Sequence, residues 1–171
     1  MSFWLPEKFE QKKPYLEKRM ALIKAVRRFF DDKTFWEVET PILQISPTMD
    51  THIHAFKTTQ KDTTLKHQRD IYLHTSPEFA MKKLMVAGVP NLYQICHVFR
   101  NAEGSNLHLP EFTMIEWYRA HAGYEDIMDD CEGLLRDVAR SLDIQEYGYK
   151  SHRSNPFKGW NRLSVTEAVA Q

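Results

Sequence analysis

At 171 residues, the chain is long enough for one domain with a real core. Its 23 basic and 23 acidic side chains cancel, and no basic run offers a general grip on a phosphate backbone, so composition does not ask for nucleic acid. No apolar run approaches the ~20 residues that span a bilayer, and the N-terminus lacks a charged-then-apolar leader pattern. Cys96 and Cys131 stand alone, without a CxxC, and are expected as reduced, partly buried thiols of a cytoplasmic protein.

In chain order, Met1–Pro14 is polar with two prolines. It is expected as a loosely attached N-terminal arm, with Phe3 and Trp4 free to pack on the domain or a partner. From Tyr15 to Lys33, Leu16, Met20, Ile23, Val26, Phe29 and Phe30 fall at helical spacing and predict the core face of an amphipathic helix. Phe35–Pro41 predicts a short strand stopped by proline. Thr51–Thr58 alternates and predicts a strand carrying His52 and His54. Two histidines without a third ligand read as polar strand residues rather than a metal site. Thr59–Asp70 is expected as a mobile hairpin loop, and Ile71–Thr75 as a strand.

Ser76-Pro77-Glu78 combines an N-cap residue, a first-position proline and a first-turn acid, and predicts a helix over Phe79–Val86. Asn91–Tyr118 then holds two strand-like runs around a polar loop, an antiparallel hairpin with a long connection. Its first strand delivers Arg100 to the loop. The plainer reading is a solvated arginine at a strand end. The sharper one is a phosphate ligand, since a planar guanidinium donates two parallel hydrogen bonds. Tyr124–Leu142 is a helix whose acids, Asp126, Asp129, Asp130, Glu132 and Asp137, are expected on its solvated side. Tyr147–Gly159 is expected as loop, and Ser164 with Glu167 caps a last helix.

Phe99-Arg100-Asn101, His108, Pro110-Glu111-Phe112-Thr113-Met114 and Glu116-Trp117-Tyr118, in this order and spacing, closely resemble motif 2 of class II aminoacyl-tRNA synthetases. The resemblance is to the lysyl branch, and within it to the paralogue family that attaches β-lysine to a lysine of elongation factor P. It covers Leu16 to Leu142, with a weaker match at Trp160–Ala168. It implies an α+β fold: a class II synthetase-like antiparallel β-sheet flanked by helices, incomplete. Residues 15–171 would be the N-terminal part of a catalytic domain, with motifs 1 and 2 only. An uncovered sheet edge would then need a partner.

The resemblance also implies roles. Arg100 would be catalytic, holding the α-phosphate of ATP, with Asn101, Glu103 and His108 near the nucleotide and Phe112 stacked on adenine. Ser76, Pro77, Glu78, Glu116 and Tyr118 would shape the pocket for a lysine-type amino acid. Pro41 would lie at a homodimer interface. ATP and Mg²⁺ are implied, with the metal ligands beyond this sequence and no metal site within it. Elongation factor P is the implied acceptor. A tRNA is not, because only the short arm precedes Tyr15 and leaves no room for an anticodon-binding barrel.

Three departures qualify these expectations. Ala102 stands where the family has glutamate, Leu109 where it has asparagine, and motif 3 is absent. The 171-residue chain alone is therefore expected to have little adenylation activity. The alternatives are a truncated non-catalytic paralogue serving as a dimerising or binding module, and a fragment of a lysyl-tRNA synthetase.

Overall fold

A computed structural model describes residues 4–47 and 50–170, so Phe3 lies outside the described residues. The chain divides into two compact units, one of residues up to Lys33 together with those from Ala122 on, the other of Thr34–His121.

In the first unit, α1 runs from Pro6 to Asp32 and α3 from Tyr124 to Ser141. They meet through Ala25, Val26, Phe29 and Phe30 of α1 and Leu134, Val138 and Ala139 of α3, all buried. Gly133 permits the approach, because a Cβ there would sit 3.1 Å from the Phe29 ring. The helix starts at Pro6, not Tyr15. Proline suits the first turn, and Pro14 is accommodated in a stretch where every described residue is exposed and the freed carbonyl can reach water. The predicted core stripe is correspondingly half right: Val26, Phe29 and Phe30 are buried, whereas Leu16 and Met20 are 51% and 56% exposed.

The acids of α3 need a second correction. Asp130 is buried, four residues before Leu134 on the inward face, and accepts a hydrogen bond from Lys33 Nζ at 3.2 Å. Arg162 bridges Asp129 and Glu132 at 2.5 and 2.8 Å. The region expected as loop contains a small hairpin, β7 (Tyr147–Tyr149) and β8 (His152–Ser154). The last helix, α4 (Val165–Val169), has the expected Ser164–Glu167 capping box.

The second unit holds two three-stranded sheets. The site sheet has β1 (Trp36–Glu37), β5 (Asn91–Phe99) and β6 (Glu111–Arg119) in the order β1-β5-β6. β5 and β6 form the expected antiparallel hairpin, in register from Asn91↔Arg119 to Phe99↔Glu111. β1 pairs parallel to β5, and it is shorter than the predicted Phe35–Pro41 strand. The other sheet joins β2 (Leu43–Gln44), β4 (Gln68–Leu73) and β3 (Lys57–Lys61). The predicted mobile loop over Thr59–Asp70 is thus largely the β3–β4 hairpin. Over residues 57–61 and 68–70 both faces are exposed, which removes the apolar alternation that marks a half-buried strand. Of the strand expected over Thr51–Thr58, Lys57 and Thr58 form the start of β3, and the part carrying His52 and His54 is not strand. His52 has φ 74°, outside the strand region, and His54 makes only an isolated bridge to Asn101. Helix α2 spans Glu78–Val86, beside β5, with Met81 buried.

Candidate functional site

Strand periodicity sets the floor of the site. Along β6, Phe112, Met114, Glu116 and Tyr118 share one face. Their register partners Val98, Cys96, Gln94 and Leu92 share it on β5. The opposite face carries Tyr93 and His97. Arg100 continues this floor two residues beyond Val98.

At one end of the floor lies an acidic cluster. Glu116 Oε2 accepts from Ser76 Oγ at 2.6 Å, and Glu116 Oε1 accepts from the Tyr118 hydroxyl. Ser76 Oγ in turn accepts from the backbone N–H of Glu78 at 3.1 Å. Ser76 thus serves the start of α2, as expected, although Pro77 is the residue that flanks the helix. One hydroxyl holds both the helix start and the carboxylate. Burial, the bond to Glu116 and the charges of Glu116 and Glu78 together push the Tyr118 phenol well above its ordinary range. It therefore stays a neutral donor. Glu78 carries Lys82 at 2.5 Å, one helical turn on.

At the other end lies Arg100. Its Nε donates to the Thr75 carbonyl at 3.4 Å, and its guanidinium carbon lies 5.2 Å from the centre of the Phe112 ring. The backbone N–H of Arg100 closes the hairpin loop on the Pro110 carbonyl at 2.9 Å. Four residues of β6 separate Phe112 from Glu116, about 13 Å at the usual rise per strand residue. The floor therefore has an anionic end and a cationic end.

The remaining sequence-predicted groups are less integrated. Asn101 donates its N–H to the His54 carbonyl, and its Oδ1 accepts from Ala102. Ala102 sits at φ 60°, a conformation that costs a residue with a Cβ about 1 kcal/mol or more. His108 is exposed, with Nδ1 bonded to Ser105 Oγ at 2.9 Å. Glu103 is half-buried in the same loop, and Pro77 is buried where the chain enters α2. Pro41 is exposed beside Ile42 and Leu43, and its neighbour Thr40 bonds Gln94 of β5. Among the described residues no group of three or more His, Cys, Asp or Glu side chains is placed to hold a metal ion.

Sequence reasoning missed three parts of the site. Gln94, 1% exposed, stands directly opposite Glu116 and accepts from Thr40 Oγ1 at 3.0 Å. Its signal was a lone amide within an apolar β-run. Cys96 lies on the same face, and burial, with some contribution from Glu116, pushes its thiol up to about 11. Lys82 had no signal beyond its i,i+4 spacing from Glu78.

A hairpin floor with an arginine at the loop and a carboxylate–tyrosine pair on the outgoing strand defines a class II synthetase-like domain. The family model for class II tRNA synthetases of the D, K and N group matches residues 4–171, and the chain belongs to that family. Curated relatives are similar over much of its length. It is 41% identical over 151 residues to the elongation factor P–(R)-β-lysine ligase of Actinobacillus succinogenes, covering 88% of this chain and 46% of that protein. Against the ligase of the same name from Vibrio atlanticus it is 38% identical over 135 residues, 79% of this chain and 42% of that protein. The Salmonella arizonae ligase is 36% identical over 163 residues, 92% of this chain and 50% of that protein. The chain thus spans half or less of the length of these relatives. Among the described residues no helix is long and apolar enough to cross a membrane.

Proposed function

We propose that this chain contributes the amino-acid pocket and the first phosphate contact of an ATP-dependent ligase that activates a lysine-type amino acid as its adenylate. The relatives' name points to elongation factor P as the acceptor protein and to β-lysine as the amino acid. The observation that carries the reading is the polarity of the β5–β6 floor. Glu116, flanked by Ser76, Tyr118 and Glu78, suits an ammonium. Arg100, held over Phe112 and the Thr75 carbonyl, suits a phosphate.

In this reading the substrate ammonium docks on Glu116 and Tyr118, which aims its carboxylate toward Arg100. The carboxylate attacks the α-phosphate in line, and pyrophosphate leaves. Arg100 stabilises the charge that grows on the phosphate oxygens, with its fork in place before the reaction. Phe112 stacks on adenine, and His108, Asn101 and Glu103 approach the nucleotide when it binds. In this reading Arg100 is the phosphate contact that this chain supplies. The exposed apolar side chains Trp36, Ile42, Leu43 and Ile45 around Pro41, 60%, 39%, 50% and 65% exposed, support a dimer through that surface.

The test is calorimetry of ATP with Mg²⁺ on the purified chain, with its mass in solution measured alongside. Saturable binding that is lost in Arg100→Ala supports the reading. A folded chain that binds neither ATP nor lysine overturns it and favours a non-catalytic binding module.

A further inference from the structure

The acidic end of the floor already holds a cation. Lys82 Nζ lies 2.5 Å from Glu78 Oε1 and 5.7 Å from the centre of the Tyr118 ring. The first contact is an ordinary i,i+4 pair, with glutamate in the favoured N-terminal position. The second is not accounted for by helix spacing, because Tyr118 comes from β6 and is the residue whose hydroxyl bonds Glu116. The ammonium is therefore directed off the α2 surface toward the floor. It sits against two of the groups assigned above to the substrate amine. Lys82 pairs with Glu78, whereas Glu116 is held by Ser76 and Tyr118.

We propose that Lys82 is a resident ammonium of the amine pocket. It occupies the Glu78–Tyr118 side while the pocket is empty, and the ammonium of an amino-acid substrate displaces it. The inference rests on the functional reading above and adds a specificity residue to it. The exchange is cation for cation, so Glu78 is never left as an unpaired carboxylate facing an aromatic ring. The Lys82 side chain is 54% exposed and has solvent to swing into, so the swap needs no movement of α2. Its cost is that of breaking a partly exposed ion pair, which is small. A ligand without a positive charge would have to break the pair without replacing it, which disfavours such ligands.

Calorimetry with L-lysine on the full chain tests this, using wild type, Lys82→Met, Lys82→Gln and Glu116→Gln, each checked for an unchanged melting temperature. Removing the resident cation is expected to tighten lysine binding by about two- to fivefold in both Lys82 variants. In ¹³C-labelled wild-type protein, the Lys82 ε-methylene NMR signal is expected to move, on adding lysine, toward its position in Glu78→Gln. Lysine binding that is lost in Glu116→Gln but unchanged or weakened in both Lys82 variants overturns the inference and leaves the functional reading standing. No lysine binding in any form overturns both.

Discussion

On the β5–β6 floor, the candidate side chains are held by residues from outside the hairpin. Glu116 of β6 is fixed by Ser76 from the turn into α2, Gln94 of β5 by Thr40, and Arg100 leans on the Thr75 carbonyl. In the loop between the two strands the bonds are mostly local. Ser105 Oγ contacts His108 Nδ1 and accepts from the N–H groups of Leu107 and His108, while Asn101 Oδ1 accepts from Ala102. Leu107 and Leu109 are 77% and 67% exposed, whereas Leu92 on the floor is fully buried. The floor is preorganised by tertiary contacts, and the loop is a small self-bonded ring that can shift without disturbing it. In the proposed function, charge selection belongs to the first and closure over a nucleotide to the second.

The comparison breaks most visibly in stability. Leu92→Ala is expected to cost about 2–5 kcal/mol in urea unfolding, as a buried leucine loses its contacts and leaves a cavity. Leu107→Ala should stay within about 0.5 kcal/mol, and a comparable loss there would mean the loop is packed. In binding, Glu116→Gln keeps the shape but removes the charge proposed to face the ammonium, and should weaken lysine binding about 10- to 100-fold by calorimetry.

Cys96 reports on floor burial through pH. The fold favours its protonated form, raising the thiol from 9.0 to about 11. Its contribution to stability is therefore fully present below pH 9 and is lost as pH rises toward about 11. Denaturant midpoints across that window should fall less steeply in Cys96→Ala. In a Cys131→Ser background, iodoacetamide at pH 8 should label Cys96 roughly a hundredfold more slowly than after unfolding, since the thiolate is the reactive form. The smallest effect belongs to the loop. Ser105→Ala should speed amide exchange at Leu107 and His108 several-fold and change ATP affinity by no more than about threefold.

Elements whose buried face leaves a periodic trace were legible in the sequence. The β5–β6 hairpin and α3 follow apolar alternation and helical spacing, and the Ser164–Glu167 cap follows its own short pattern. What escaped has a physical reason. The β3–β4 hairpin is exposed on both faces over residues 57–61 and 68–70, so it leaves no alternation there. The first turns of α1 are exposed and contain Pro14, so neither periodicity nor proline usage marks them as helix. The burial of Asp130 depends on Lys33, nearly a hundred residues away. Within the site, Arg100, Glu116 and Tyr118 could be named from motif spacing, but their mutual arrangement could not. The double role of Ser76, the Thr40–Gln94 bond and the position of Lys82 over Tyr118 each arise from residues brought together by pairing across elements.

The central claim is that one sheet face separates an amine end from a phosphate end. An ¹⁵N NMR titration of the chain, first with lysine and then with ATP, tests it most directly. The account predicts that lysine moves the amides of Ser76–Lys82 and Glu116–Tyr118, and that ATP moves those of Arg100–Glu103 and Phe112. Shifts from both ligands at the same end, or confined to residues outside the floor and its loop, would contradict it.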